Sequence, residues 1–410
     1  MKNTGLLRNS RARRAASSSL LGLLVCFFLI SPAAAQQENW QFTGPRFALP
    51  PQENTVITEA EVDADAAAAT TIPLWSATAT DQNNGKKYNV RFVGKSPLVR
   101  SSSASATVSA PVVALDLKFF NGDVFRPEAT DPKCGFSSTT AVKRVLGSPI
   151  YEKHSYSFGG TSVGTTQYVD AFQRANFYSY TQPGGTSPGY HVLLNPTAHF
   201  YYYTTPISVP RSDSAIGSGR CGPVAGVSIT WLQGLIKNTL IPALTRSFGI
   251  GSTQFPVFIL YNVVMCDSGG CGILGFHDSY KNAAGHSQTY AVAEYDTSGA
   301  GFPDVEALSH EVGEWMNDPL VGSASTVNLV PHFGNIGQVS GCQNNLEVGD
   351  ALSGHTTSVH MSNGVTYHPQ QMVFVGWFYH FNPSLGVNNW YSNLGTLLGF
   401  AKPCPPGGTH

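Results

Sequence analysis

The segment from Pro303 to Pro319 (PDVEALSHEVGEWMNDP) contains the pattern His-Glu-x-x-Glu, formed by His310, Glu311 and Glu314. Pro and Asp at its start and Pro at its end predict a helical interior. Residues four apart share one face of a helix, so His310 and Glu314 can reach one metal ion. In the related pattern H-E-x-x-H, both His bind zinc and the Glu is the general base. The pattern therefore predicts metal ligation by His310 and Glu314, with Glu311 activating water.

A metal site needs a third ligand from another segment. The stretch Asn345–Asp350 (NLEVGD) supplies two carboxylates, and Glu347 is the first choice for this ligand. Asp350 is predicted either to bind the metal or to orient a ligating histidine from outside the ligand set. If Glu314 is not a ligand, a histidine must replace it, and the candidates are His277, His332 and His355.

His277 follows a predicted buried strand and a cysteine turn, and it is a candidate catalytic residue that donates a hydrogen bond to substrate. A hydrogen-bonded structural histidine is the alternative. Zn²⁺ is the first expectation for this motif. Two carboxylates neutralise a divalent cation and weaken its polarising effect, which makes Mn²⁺ or Ca²⁺ the alternatives. The simplest alternative for the whole pattern is an exposed His/Glu pair on an amphipathic helix, beside an ordinary acidic loop.

The elements around this helix predict an α+β fold with a mixed sheet. Val113 to Phe119 alternates apolar and polar residues, which is typical of a strand with one exposed face, and Asn84-Gly85 predicts a hairpin turn. Apolar residues at helical spacing predict helices in Thr165–Phe177 and Gly226–Phe248. Two more strands are predicted, the buried strand Phe255–Met265 and the strand Thr289–Tyr295.

The chain divides into three predicted regions. Residues 1–35 contain five cationic residues, the apolar run Leu20–Ile30 and Ala33-Ala34-Ala35, which predicts a secretory signal peptide cleaved after Ala35. Residues 36–110 are predicted to form an N-terminal arm or small β element that ends in the linker Ser101–Ala106 (SSSASA). Residues 111–410 are predicted to form the main domain, and the protein is expected to be extracellular, or periplasmic in a bacterium.

Charge and hydropathy limit the classes of partner that are expected. Removing five positive charges from a formal net charge of −1 gives −6, and no basic run remains, so nucleic acid is not an expected partner. No later apolar segment reaches membrane-spanning length, so no membrane partner is expected after signal cleavage.

Six cysteines remain and predict three disulfides, with a local Cys266–Cys271 bridge. The other pairings stay open, for Cys134, Cys221, Cys342 and Cys404, and the sequence does not indicate an oligomeric state.

The order of motifs resembles the EXORDIUM or phosphate-induced protein family and its bacterial relatives. These motifs are VGTTQYVDAFQR, CG-x-x-GFH (Cys271 to His277), TYAVAEY, LSHEVGEWMNDPLV and LEVGD. The resemblance is clearest from about Phe255 to Asp350 and extends towards Pro111. It implies a secreted protein with a His-Glu-x-x-Glu helix and a following E-x-x-D segment. Plant members are linked with cell-wall growth, which implies no particular reaction.

Together these observations predict a zincin-like (metallopeptidase-like) α+β domain with an active-site helix. The first functional hypothesis is metal-dependent hydrolysis of peptide bonds, with a peptide or cell-wall substrate and Glu311 as general base. The alternative is a non-catalytic extracellular or cell-wall protein that retains a structural or vestigial metal site.

Overall fold

The computed structural model describes residues 40–51, 57–100, 104–196, 206–321 and 328–404. These residues belong to one compact unit. The predicted signal peptide, residues 1–35, lies outside the described residues. Within the described ranges, every helix is too short or too polar to cross a membrane.

The strands are short and numerous. They are β1 (Phe42–Arg46), β2 (Leu74–Thr80), β3 (Lys87–Val93), β4 (Ser105–Ser109), β5 (Val112–Ala114), β6 (Leu117–Lys118), β7 (Val124–Phe125), β8 (His154–Phe158), β9 (Thr161–Thr166), β10 (His191–Asn195), β11 (Ile207–Ser208), β12 (Ser214–Ser218), β13 (Pro223–Ser228), β14 (Val257–Tyr261), β15 (Val263–Asp267), β16 (Gly270–Ile273), β17 (Gly275–Lys281), β18 (Ser287–Tyr295), β19 (Leu329–Phe333), β20 (Gln343–Asn345), β21 (Val359–His360) and β22 (Thr366–Tyr367).

The helices are fewer. They are α1 (Glu59–Ala67), α2 (Ala141–Leu146), α3 (Tyr168–Asn176), α4 (Tyr178–Thr181), α5 (Ile229–Leu235), α6 (Ile241–Phe248), α7 (Glu306–Asn317) and α8 (Val375–Phe378). A π-helical turn, Ile236–Leu240, joins α5 to α6. The predicted α+β class is therefore confirmed.

A four-stranded mixed sheet of order β17-β18-β14-β5 lies at the centre of the fold. β17 runs antiparallel to β18, whereas β14 runs parallel to both β18 and β5. On β14, Val257 and Ile259 belong to one hydrophobic cluster with residues of α7, while Phe258 and Leu260 belong to a second with residues of α5 and α6. Burial on both faces explains why β14 is apolar along its whole length.

A five-stranded sheet of order β1-β16-β15-β13-β12 adjoins this centre. Its edge strand β1 pairs in parallel with β16, and most of its residues are exposed. Residues 46–49, which are the last residue of β1 and the three that follow it, line a cleft described below. The N-terminal part of the described chain therefore lies against the domain beside its candidate site.

The predicted strand Phe255–Met265 is wrong as a single strand. It divides into β14 and β15, which lie in different sheets, and the break falls at Asn262. Asn262 has a φ of 52°, and its side-chain oxygen accepts hydrogen bonds from the backbone N–H groups of Thr297 and Ser298. Asn tolerates this left-handed conformation better than most residues, so the chain can turn inside an apolar run.

Other predicted elements need smaller corrections. The helix predicted at Thr165–Phe177 begins later, at Tyr168, because Thr165 and Thr166 belong to β9. The exposed face predicted for Val113–Phe119 is wrong, because Ala114 and Asp116 are buried. The last two residues of the predicted linker Ser101–Ala106 begin β4, whereas 101–103 lie outside the described residues.

Several predictions are confirmed. The hairpin at Asn84-Gly85 joins β2 to β3, and the strand Thr289–Tyr295 lies within β18. The helix predicted between Pro303 and Pro319 is α7. Three disulfides form, namely the predicted local bridge Cys266–Cys271 together with Cys134–Cys221 and Cys342–Cys404.

Candidate metal centre

Helix α7 carries the His-Glu-x-x-Glu pattern and is buried along its whole length. It packs on β17 and β18 of the central sheet. Trp315 fixes this docking, because its ring stacks on Phe255 with centroids 3.6 Å apart and its indole N–H donates to Thr289 Oγ1 at 3.1 Å. The predicted polar side of the helix is therefore not solvated, and the exposed His/Glu pair considered above is excluded.

The polar side of α7 forms the floor of a cleft of about 440 Å³. Glu311 and Glu314 of the helix line the cleft together with His277 of β17. Glu347 and Asp350, from the loop after β20, line it as well. The structure thus brings both predicted segments and the predicted histidine to one cavity.

The imidazole of His310 is fully buried beneath the ring of Phe47, with ring centroids 3.5 Å apart. Its Nδ1 lies 3.1 Å from Gln370 Oε1. The amide nitrogen of Gln370 donates to the carbonyl oxygens of Gly349 at 2.8 Å and Gln371 at 3.3 Å, which leaves Oε1 as an acceptor. We therefore assign the proton of His310 to Nδ1, and the lone pair to Nε2.

The Nε2 atom of His310 has no hydrogen-bond partner among the described residues. It lies 3.0 Å from Glu314 Oε2 and 3.7 Å from Asp350 Oδ1. Burial lowers the pKa of His310 to about 4, so this imidazole is neutral at neutral pH. A lone pair that faces two carboxylate oxygens is repulsive unless a proton or a metal cation lies between them, and a metal ligand has the second of these arrangements.

His277 has the same arrangement with its nitrogens exchanged. Its Nε2 lies 3.0 Å from the carbonyl oxygen of Asp318, which can only accept, so this nitrogen carries the proton. Its Nδ1 lies 3.2 Å from Glu311 Oε2 and 3.9 Å from Glu314 Oε2. Burial lowers the pKa of His277 to about 3. Both histidines therefore direct a lone pair at buried carboxylates.

The four carboxylates of the cleft strongly oppose ionisation in the absence of a cation. Burial raises the pKa of Glu311, Glu314 and Glu347 well above 4.5, and neighbouring carboxylates raise it further. Burial also raises the pKa of Asp350. Among the described residues, no Lys or Arg forms an ion pair with any of the four. A divalent cation would supply the missing positive charge.

The donor atoms form two clusters with one shared member. His310, Glu314 and Asp350 form one cluster, and His277, Glu314 and Glu347 form the other. Within each cluster the donor atoms all lie within 4.8 Å of one another. These buried groups could hold a metal ion.

The clusters divide the predicted ligands differently from the sequence analysis. Asp350, rather than Glu347, joins His310 and Glu314. Asp350 faces Nε2 of His310, so it is not the outer acceptor that orients this ring, and Gln370 has that position on Nδ1. The other candidate histidines, His332 and His355, are exposed and belong to neither cluster.

Several contributors were not identified from the sequence. Gln343 donates to Asp350 at 2.9 Å, and Gln338 also donates to that carboxylate. Gln338 also binds the strap, which we define as residues 42–49, because its Oε1 accepts from the Phe47 N–H at 2.9 Å. Lone glutamines and a phenylalanine from an arm carry no distinctive spacing, so no sequence signal indicated them.

Gly349 allows the loop to approach the helix closely. Its N–H donates to Glu314 Oε1 at 2.9 Å, and a Cβ at this position would lie 2.4 Å from His310 Nδ1. On the other side, a Cβ on Gly275 would lie 2.6 Å from Glu311 Oε1. Both glycines therefore let backbone contact the side chains of the pattern directly.

Comparison of the chain with protein-family models, curated proteins and solved structures found no match.

Proposed function

We propose that this protein is a secreted metal-dependent hydrolase with a zincin-like centre that acts on peptide bonds. The proposal is carried by one observation: the fully buried Nε2 of His310 lacks a hydrogen-bond partner within the described part of the chain and faces Glu314 and Asp350. The three disulfides are typical of proteins of oxidising compartments and support secretion.

His310, Glu314 and Asp350 would hold the cation, and Zn²⁺ is favoured by the imidazole donor. When bound, such a cation polarises a carbonyl oxygen and lowers the pKa of water. Gln370 keeps His310 in the required tautomer, and Gln343 helps to hold Asp350 in place. The chain thus supports each donor from outside the ligand set.

Glu311 is the proposed general base. It lines the cleft beside both clusters, and burial raises its pKa well above 4.5, which makes its carboxylate a stronger base. It would accept a proton from the attacking water and return it to the leaving amine. His277 Nδ1 lies 3.2 Å from Glu311 Oε2, which places this carboxyl group beside the second cluster.

The variant Glu311→Gln tests this role, because it keeps size and hydrogen bonding but cannot accept the proton. We expect peptide cleavage to fall by roughly 10²- to 10⁴-fold while metal content stays unchanged. Cleavage of a mixed peptide library, read by mass spectrometry, and metal analysis of the same samples provide the two measurements. The exposed glutamate variant Glu152→Gln serves as the control.

A second candidate function is a non-catalytic extracellular or cell-wall protein that keeps the metal for structure or recognition, in line with the resemblance to the EXORDIUM family. It is favoured by Phe47, which covers His310 and restricts access to the first cluster. Full metal content without Glu311-dependent cleavage would support this candidate. Absence of metal from the wild type would contradict both.

A further inference from the structure

We infer that the cleft binds two divalent cations, bridged by the carboxylate of Glu314. This inference rests on the proposed function and deepens it, because it assigns the second cluster as a metal site. His310, Glu314 and Asp350 hold one cation, while His277, Glu314 and Glu347 hold the other. Metal pairs in hydrolases lie about 3.5–4 Å apart and stabilise the attacking and leaving groups together.

The geometry requires a shared ligand. Neither cluster contains both histidines, and only Glu314 belongs to both. Glu314 Oε2 lies 3.0 Å from His310 Nε2 and 3.9 Å from His277 Nδ1, so one oxygen faces both imidazoles. Glu314 Oε1 accepts the N–H of Gly349, which fixes the orientation of the carboxylate.

The tautomers of the two histidines support two cations independently of this geometry. His310 donates from Nδ1 to Gln370, and His277 donates from Nε2 to the carbonyl of Asp318. Each ring therefore presents a lone pair to the carboxylates. A single cation in the first cluster satisfies the lone pair of His310 and leaves that of His277 facing Glu311.

The charge balance leads to the same conclusion. Glu311, Glu314, Glu347 and Asp350 carry four negative charges when ionised, and the neutral histidines carry none. One divalent cation leaves two of these charges uncompensated among groups that are buried or, for Asp350, largely buried, whereas two cations neutralise the set. Arg46, the cation on the cleft wall, is bonded to Asp267 at 2.6 Å and to the carbonyl oxygen of Gly270 at 2.9 Å.

The test is the metal content of the purified, disulfide-bonded protein after chelation, reloading with Zn²⁺ and removal of free metal. We expect two Zn²⁺ per chain in the wild type, one in His277→Ala and one in His310→Ala, and weak or no retention in Glu314→Ala. His286→Ala is the matched control, because His286 also places Nδ1 against a carboxylate, Asp65 at 2.8 Å, and lies outside both clusters. It should keep two.

The outcomes separate this inference from the proposed function. The wild type could instead bind one Zn²⁺ per chain that is retained in His277→Ala and lost in His310→Ala. This result would overturn the second site and leave the first intact, and it is expected if a protonated Glu311 donates a hydrogen bond to His277. One Zn²⁺ that either histidine variant removes also overturns it. No Zn²⁺ in the wild type overturns the proposed metal centre itself.

A measurement on the wild type alone covers the case in which a variant fails to fold. Protein loaded with Mn²⁺ should give the electron paramagnetic resonance spectrum of an exchange-coupled pair, because a bridging carboxylate couples the two spins. A spectrum of isolated Mn²⁺ at every loading ratio would contradict the bridged pair.

Discussion

Buried carboxylates have a cationic partner on one face of β17 and none on the other, within the described part of the chain. Asp278, on one face, is fully buried and lies 2.7 Å from the ammonium of Lys237. It also accepts hydrogen bonds from Gln233 at 3.0 Å and from the Tyr290 hydroxyl at 2.8 Å. His277, the preceding residue, points to the other face, where four carboxylates have no Lys or Arg partner within the described chain.

This difference separates the buried charges that the protein neutralises with its own side chains from those that it does not. A buried carboxylate with a cation and further donors is a structural element, complete without a ligand. A buried group of carboxylates that faces imidazole lone pairs lacks such a partner and could hold a metal ion. Because both groups occur in one fold, their composition, rather than burial as such, distinguishes the candidate metal centre.

The largest expected effect on stability is at the face of β17 that carries Asp278. Lys237→Met removes the cation but keeps most of the apolar volume, so Asp278 loses its charge partner. We expect the free energy of unfolding to fall by about 3–5 kcal/mol, with or without metal. Urea unfolding of chelated and Zn²⁺-loaded protein measures this change.

The matched variant on the face that carries His277 is Glu347→Gln, for which we expect the opposite sign in metal-free protein, because a neutral amide replaces a buried carboxyl group that neighbouring carboxylates destabilise. It should also weaken metal binding. If both variants destabilise the metal-free protein equally, the contrast between the two faces of β17 is wrong.

A smaller effect is expected in the pH dependence of stability. The cleft glutamates have a higher pKa in the folded chain than their usual 4.5, so the folded chain binds more protons and loses stability as pH rises through this range. His277 and His310, with pKa values lowered to about 3 and about 4, act oppositely, but only below their usual 6.5.

Above pH 6.5, therefore, metal-free protein should lose stability as pH rises, by up to about 1.4 kcal/mol per pH unit for each group still titrating. Saturating Zn²⁺ should remove this contribution, because the cation keeps the carboxylates ionised. Thermal unfolding in both states, from neutral to mildly alkaline pH, gives the difference. Parallel curves would show that these carboxylates do not interact with the metal.

The smallest effect is expected at the strap. Phe47→Ala removes the ring over His310, and we expect a loss of about 1–2 kcal/mol, less than for a core Phe, because Phe47 follows an exposed edge strand. Release of Zn²⁺ to a chelator should become several-fold faster. Leu49→Ala, at a half-exposed position on the same cleft, should leave the rate unchanged. Equal rates for both variants would exclude Phe47 as a cover.

Much of the fold near the site could be predicted because its signals are local. The prolines around α7 and the turn at Asn84-Gly85 act through the backbone of a few residues. The break at Asn262 could not be predicted, since it depends on hydrogen bonds from Thr297 and Ser298. The buried face of β5 likewise depends on helices and strands distant in sequence.

The residue types of the candidate site could be predicted from the sequence, but not which carboxylate lies beside which histidine. The types and spacing of His310, Glu311 and Glu314 indicated two ligands and a general base, and the structure brings the acidic loop to the same cleft. Spacing does not determine which carboxylate faces which imidazole, so the sequence favoured Glu347 beside His310, where the structure places Asp350. The roles of Gln370 and the strap arise only from tertiary packing.

The missing side chain of Gly349 has a consequence for recognising such centres in other chains. A single methyl group there would preserve every donor atom yet force the imidazole of His310 and the acidic loop apart. Ligand identity alone is therefore an insufficient signature. A Glu-x-Gly-Asp tetrapeptide, as in residues 347–350, should discriminate better than the helical histidine motif between chains able to assemble this geometry and chains that merely contain its ligands.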